Sequence, residues 1–304
     1  MKRSAMLGLA LLIAGALAFS VGYFGGGRDL GALNGSLGPV GVSAGRGAGY
    51  AEREYSVFMT GITRIVLDES NADVTVITTG EAGPAASGSD IVVTYQDSAD
   101  SALEITNRDG VLTIKRRDRV GFFFFRLGGD DLHTELRIPR DLEAELSVES
   151  DNGSVTADGL YLKGDATFSG DNGAISVKNT RVNGLTLDSD NGKLEASNVA
   201  CASFEAEASN GRVTLSDISA ETALYVKTSN GAITVDNVSA GKSIELRSSN
   251  GSIRGTLSGS GGDYRIESKT TNGANNLPNG WGRGDTLLTV ETTNGAIALQ
   301  FAED

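Results

Sequence analysis

Residues 222–241 read TALYVKTSNGAITVDNVSAG. Around the central Asn230-Gly231, apolar residues stand at fixed offsets: Leu224 and Val226 before the pair, Ile233, Val235 and Val238 after it. Close to the pair the apolar residues are two apart, with Tyr225, Lys227 and Thr234 between them. A period of two means extended strand with one face buried. The stretch therefore reads as strand, corner, strand and short connecting turn.

The same unit recurs along the chain. Asn-Gly falls in phase at Asn152, Asn172, Asn191, Asn210, Asn230, Asn250, Asn272 and Asn294, at spacings of 19 to 22 residues. The offsets repeat as Leu185, Leu187, Leu194, Ala196 and Val199 around Asn191, and as Phe204, Ala206, Val213, Leu215 and Ile218 around Asn210. Asn-Gly often marks a two-residue hairpin. Equivalent residues at equal offsets favour instead coils that stack on their own equivalents, as in a solenoid. The expected fold is all-β: a single-domain, parallel β-helix-like solenoid of Asn-Gly-cornered coils about 20 residues each.

Stacked corners assign a structural role to the asparagines. In a fixed column they form an amide ladder, and the following glycine permits the left-handed backbone a corner needs. The template reaches back to Asn71, with Ile65, Leu67, Val74 and Val76, and to Asp109-Gly110, with Leu103, Ile105, Leu112 and Ile114. These read as two degenerate coils, and Leu132–Pro139 as a strand leading into the array. The corner column is thus Asn71, Asn152, Asn172, Asn191, Asn210, Asn230, Asn250, Asn272 and Asn294.

In order, the segments ITRIVLDESNADVTVIT (62–78), DGVLTIK (109–115), ELRIP (135–139) and repeats such as SNGAITVDNVSA (229–240) resemble the putative-adhesin domain family, exported proteins of unknown function. The resemblance runs from Tyr55 to Leu299. It implies a β-solenoid with membrane or surface association, and supplies neither a substrate nor catalytic residues.

The N-terminus reads as a membrane segment. Lys2 and Arg3 precede an apolar run from Ala5 to Phe24, long enough to cross about 30 Å of hydrocarbon. The basic pair stays in the cytoplasm and the rest is carried outside, periplasmic or extracellular. Ala16-Leu17-Ala18 resembles a signal-peptidase site, but the run continues past it, which favours an uncleaved anchor; cleavage would release the domain. Residues 25–54 read as a Gly-rich linker and 55–304 as the solenoid, with degenerate coils over 55–140 and regular coils over 141–304.

Composition narrows the chemistry. A net charge of −13 argues against nucleic acid as a partner. One cysteine, Cys201, and one histidine, His133, leave no zinc set and few means of nucleophilic hydrolysis. No cofactor is implied. Asp151, Asp171 and Asp190 each precede a corner asparagine; stacked about 5 Å apart, three carboxylates form an acidic edge suited to Ca²⁺ or simply solvated. Phe122, Phe123, Phe124 and Phe125, flanked by Arg119 and Arg126, form an apolar tip for a cap over the solenoid end or for contact with a partner. Trp281 stands in a long insert; it is the other interaction-surface candidate, expected to pack on the last coils rather than to stack on sugar. Short connections leave little wall for a cleft. The expected role is a membrane-tethered adhesin-like binding module that meets an envelope protein or polysaccharide, rather than an enzyme. The alternatives are a structural solenoid that self-associates end to end and a carbohydrate-active β-helix enzyme.

Overall fold

The computed structural model describes residues 51–79, 90–97, 101–118 and 132–303. The candidate anchor, the linker to residue 50 and Phe122–Phe125 lie outside the described residues. The chain divides into two compact units. One comprises Met1–Ala51, Ser98–Ala102 and Asp118–Asp131, and only Ala51, Ser101, Ala102 and Asp118 of it are described. The other, Glu52–Asp97, Leu103–Arg117 and Leu132–Asp304, is the stack considered below.

The described residues form strands, with one 3-10 turn at Gly261–Asp263 and no α-helix; no described helix is long and apolar enough to cross a membrane. The strands are β1 (Ala51–Phe58), β2 (Arg64–Glu69), β3 (Asp73–Thr79), β4 (Asp90–Asp97), β5 (Ser101–Arg108), β6 (Val111–Asp118), β7 (His133–Pro139), β8 (Glu145–Ser150), β9 (Val155–Asp158) and β10 (Ala166–Gly170). Three long bent strands follow: β11 (Ile175–Ser189), β12 (Leu194–Ala208) and β13 (Val213–Thr228). The last are β14 (Ile233–Ala240), β15 (Ser243–Ser248), β16 (Ile253–Leu257), β17 (Tyr264–Thr270), β18 (Thr286–Thr292) and β19 (Ile297–Phe301).

Like residues stack on like, in parallel register. Leu185 pairs with Phe204, Phe204 with Leu224, Leu224 with Ile244, and Ile244 with Leu288. Across the corner, Ile175, Leu194, Val213, Ile233, Ile253 and Ile297 form a second column. A third, of Val182, Cys201, Ala220 and Ala240, completes a three-sided coil. These side chains are buried, and each large aliphatic among them contributes about 1.5–3 kcal/mol. The solenoid-like architecture expected from the repeat is therefore present.

The asparagine ladder runs through the stack. Each Nδ2 donates to the Oδ1 of its neighbour at 2.8–3.0 Å, in the order Asn71, Asn152, Asn172, Asn191, Asn210, Asn230, Asn250, Asn294, Asn272. The corner glycines serve a different purpose from the one expected. None has a positive φ. Instead, a Cβ at Gly211 or Gly231 would lie 1.8 Å from the carbonyl oxygen of the glycine one coil earlier. Close approach of backbones, rather than left-handed conformation, demands glycine here.

The left-handed residues sit at the second corner. Asn179, Asn198, Asp217 and Asn237, each seven residues after a corner asparagine, have φ of 49–53°. Asn and Asp tolerate this conformation best among side-chain-bearing residues. They form a second ladder: Asn179 donates to Asp158 and Asn198 to Asn179, both at 2.8 Å, and Asn237 to Asp217 at 2.7 Å.

Both ends depart from the expected order. Asp109 and Gly110 both have positive φ, which makes a hairpin turn between β5 and β6 rather than a coil corner. β6 then lies beside β2, and β7 beside β3, so β6 and β7 form a layer outside the Asn71 coil. The chain next steps over that coil to β8, which pairs with the other edge of β2. β4 covers the outer edge of β7 in antiparallel sense. At the far end β18 lies between β15 and β17, so the Asn294 coil is inserted inside the Asn272 coil. The spacings of 22 residues around Asn272 accommodate this detour. β1 begins at Ala51, within the stretch read as linker, because alternation around Tyr55 and Val57 turns it into a strand against β4.

Asn210→Ala removes two ladder hydrogen bonds and is expected to cost about 1–3 kcal/mol. Gly211→Ala forces the coils apart and is expected to cost more. Urea denaturation of the two variants beside the parent checks both the sizes and their order.

Candidate functional site

The acidic edge exists as a column. Asn172 donates its backbone N–H to the Asp151 carbonyl, Asn191 to Asp171 and Asn210 to Asp190, which places the three aspartates on successive coils. Side chains in such a column project parallel to one another about 4.8 Å apart, whereas Ca²⁺ needs oxygens converging at about 2.3–2.6 Å. Among the described residues no three or more His, Cys, Asp or Glu side chains gather in a way that could hold a metal ion. Asp190 accepts instead from the Ser209 hydroxyl at 3.2 Å.

The aspartates border a charged sheet face. One outward column runs Glu149, Ser169, Asp188, Glu207, Lys227, Arg247, Glu291 and Lys269 in direct register. Burial, then the charges of Glu207 and Asp190, raise the Asp188 pKa. Lys227 reaches Glu207 at 3.5 Å, and Arg247 pairs with both Glu245 and Glu291. The face is acidic toward the Asn172 coil and mixed toward the Asn250 coil.

Trp281 lies against the last coil through its main chain. Ile266 N–H donates to the Trp281 carbonyl at 2.7 Å, and Gly280 N–H to the Ile266 carbonyl at 2.9 Å. The residue nevertheless remains 49% exposed, and the other large exposed apolar residue among those described is Phe58, at 72%. Phe122–Phe125 lie outside the described residues.

One buried polar group has no counterpart in the sequence reading. Glu69 occupies the position two before the corner, where Ser150, Ser189, Thr228, Ser248, Thr270 and Thr292 stand in other coils. There the hydroxyls hold the corner: Ser189 Oγ accepts from Gly192 N–H, and Thr228 Oγ1 from Gly231 N–H. Glu69 instead accepts two hydrogen bonds from one edge of the Arg116 guanidinium, Nε at 2.5 Å and Nη2 at 3.0 Å. Thr134 also donates to Glu69, and Arg116 Nη1 donates to the Gln96 carbonyl at 3.1 Å. The two side chains are 2% and 0% exposed. A charged residue in a column of small hydroxyls was the available signal. The pair joins β2, β4, β6 and β7, and offers no open position to a substrate.

The remaining chemistry is sparse. Burial first, then the Glu221 charge, pushes the Cys201 thiol up to about 12, so it is a poor nucleophile. His133 opens β7 and pairs across to Asp73. An open depression of about 400 Å³ is lined by Thr63, Glu143, Ala144, Glu145, Lys163 and Gly164. Lys163 donates to Glu143 there at 2.7 Å, which lowers the pKa of the acid and raises that of the lysine.

These features define a three-sided, asparagine-laddered solenoid whose outward chemistry is carried on flat sheet faces. The chain belongs to the Toastrack DUF4097 family, whose model matches residues 62–300. Solved structures of similar fold include a putative adhesin from Parabacteroides distasonis, 9% identical, with 83% of this chain and 98% of that chain covered and a TM-score of 0.45. A putative adhesin from Bacteroides fragilis is 10% identical, with 85% and 100% covered and a TM-score of 0.43. A putative cell adhesion protein from Clostridium sporogenes is 10% identical, with 83% and 99% covered and a TM-score of 0.26. No curated protein matches the chain.

Arg116→Ala leaves a buried carboxylate unpaired and is expected to cost about 3–5 kcal/mol, whereas Arg116→Met with Glu69→Leu costs less than half as much. Urea denaturation separates the two. Cys201 should stay unmodified by a thiol reagent at pH 8 until denaturant is added, which an absorbance assay follows directly.

Proposed function

We propose that this chain is an exported, membrane-tethered binding and presentation module without catalytic activity. In this reading residues 1–24 form the anchor and residues 25–50 the spacer. The stack faces an envelope protein or an extended polysaccharide. The supporting observation is the outward column from Glu149 to Lys269, held in unbroken register through eight coils. Inward side chains and corner amides are consumed by the scaffold, which leaves the faces for recognition. A rigid array repeating at about 4.8 Å suits a long ligand that is contacted at many weak points, and the change from an acidic to a mixed-charge half sets its orientation.

The test uses intact cells producing the full chain. External protease should digest residues 55–304, and protection would overturn the exported orientation. Polysaccharide fractions and envelope proteins are then offered to the parent chain and to the D188N/E207Q/K227Q/R247Q variant. Binding is expected to fall by about tenfold or more, roughly 1.4 kcal/mol, with the ligand recovered unaltered. Cleaved saccharide in the parent sample would instead establish an enzyme.

A further inference from the structure

The C-terminal end of the stack carries a strand edge that is already receiving an antiparallel partner. β17 is the outermost strand of its face and pairs on one side with β18. Its other side is covered by residues 279–281, the last part of a strap over 274–281 whose first residues stack in parallel on β19. Ile266 and Trp281 exchange main-chain hydrogen bonds in antiparallel sense, at 2.7 and 3.4 Å. Asn279 Oδ1 accepts from the Ser268 N–H at 3.2 Å. Asn276 holds β19 with main chain and side chain together: its N–H donates to the Ile297 carbonyl at 3.2 Å, Oδ1 accepts from Leu299 N–H at 3.1 Å and Nδ2 donates to the Leu299 carbonyl at 2.7 Å. Leu277 is buried under this strap, and its carbonyl accepts from the Ser268 hydroxyl. An uncovered edge with these donors and acceptors is a template for strand addition.

The charges along β17 indicate what would add. Asp263, Arg265, Glu267 and Lys269 alternate in sign, and all four are exposed. Asp263 also accepts from the Ser260 N–H and hydroxyl, which leaves Arg265 and Glu267 as the principal recognition pair. Two copies of β17 laid antiparallel with Ile266 opposite Ile266 would set Arg265 of each against Glu267 of the other, and Asp263 against Lys269. Residues directly opposite in an antiparallel pair point to the same face, so both isoleucines stay on the core side. The contact is isologous and therefore closes at two copies.

We propose that the residue 274–281 strap is an autoinhibitory contact, and that the edge beneath it is a docking surface for the same edge of a second copy of this chain. The Ile266–Trp281 pair is the intramolecular substitute for Ile266 against Ile266. Displacing the strap turns a chain that is single at this end into a twofold dimer rather than a fibre.

The experiment measures mass by light scattering over a concentration series for the full chain, the N279A/W281G variant, and that variant carrying R265E or R265E/E267R. The parent is expected to show no association that responds to R265E. The strap variant is expected to form a dimer that R265E weakens by at least about tenfold, through like charges placed opposite one another. R265E/E267R should restore it. A folded strap variant that stays single, association indifferent to R265E, or open-ended polymers would each overturn the proposal. Should N279A/W281G fail to fold, G280P, which cannot hold the φ of 68° at Gly280 and removes its N–H from the Ile266 carbonyl, is read in the same way.

Discussion

The stack depends on how closely one corner glycine approaches the next. A methyl group at Gly211 would collide with the Gly192 carbonyl at 1.8 Å, and one at Gly192 with the Gly173 carbonyl at 1.9 Å. This approach brings successive asparagine amides within 2.8–3.0 Å of each other. With the amides in place the strands on either side can pair only in one register. A slip of one residue would exchange every inward leucine or valine with an outward charge. Register, core and the outward charge columns thus follow from one contact repeated coil after coil.

That constraint explains why the regular coils were legible in the sequence. Leu224, Val226, Ile233, Val235 and Val238 recur because they must stack, and period two near Asn230 has no helical interpretation. The role of the glycine was less legible, since the letter pair Asn-Gly is equally suited to positive φ and to close approach. Only the packing distance separates them. The second corner was present as a polar residue seven positions after each corner asparagine, in Asn179, Asn198, Asp217 and Asn237. It went unread because one polar residue before an apolar one is unremarkable on a strand. Asp109-Gly110 shows the converse: its flanks match the coil template, yet positive φ at both residues turns it into a hairpin. Local pattern cannot distinguish a strand that stacks from one that folds back.

The candidate sites were less legible than the fold because they depend on direction as well as position. The repeat placed Asp151, Asp171 and Asp190 in one column, but a column in a parallel stack sets carboxylates in a row rather than around a point. Trp281 bonds to the last coil through its main chain yet remains half exposed as a residue, which its position in a long insert does not reveal. Glu69 and Arg116 are 47 residues apart in sequence and meet only because the chain lays β6 beside β2 out of order.

The out-of-order layers at both ends have a common physical consequence. A solenoid that grew coil by coil would leave its first and last coils bonded on one side only. Here the Asn71 coil is gripped between the β6–β7 layer and the Asn152 coil, and the Asn294 coil between those of Asn250 and Asn272. Each inserted coil is bonded on both sides, and what remains outermost is closed by non-repeating elements: antiparallel β4 at one end, the strap bearing Asn276 and Trp281 at the other. Among the described residues the Asn272 layer pairs with the stack through the Asn294 coil, by β17 on β18 and by residues 274–276 on β19, so neither of the last two coils completes its hydrogen bonding without the other. That couples residues 258–301 into one cooperative step. The regular middle can lengthen or shorten by whole coils at little structural cost, while these two ends fix where the array stops.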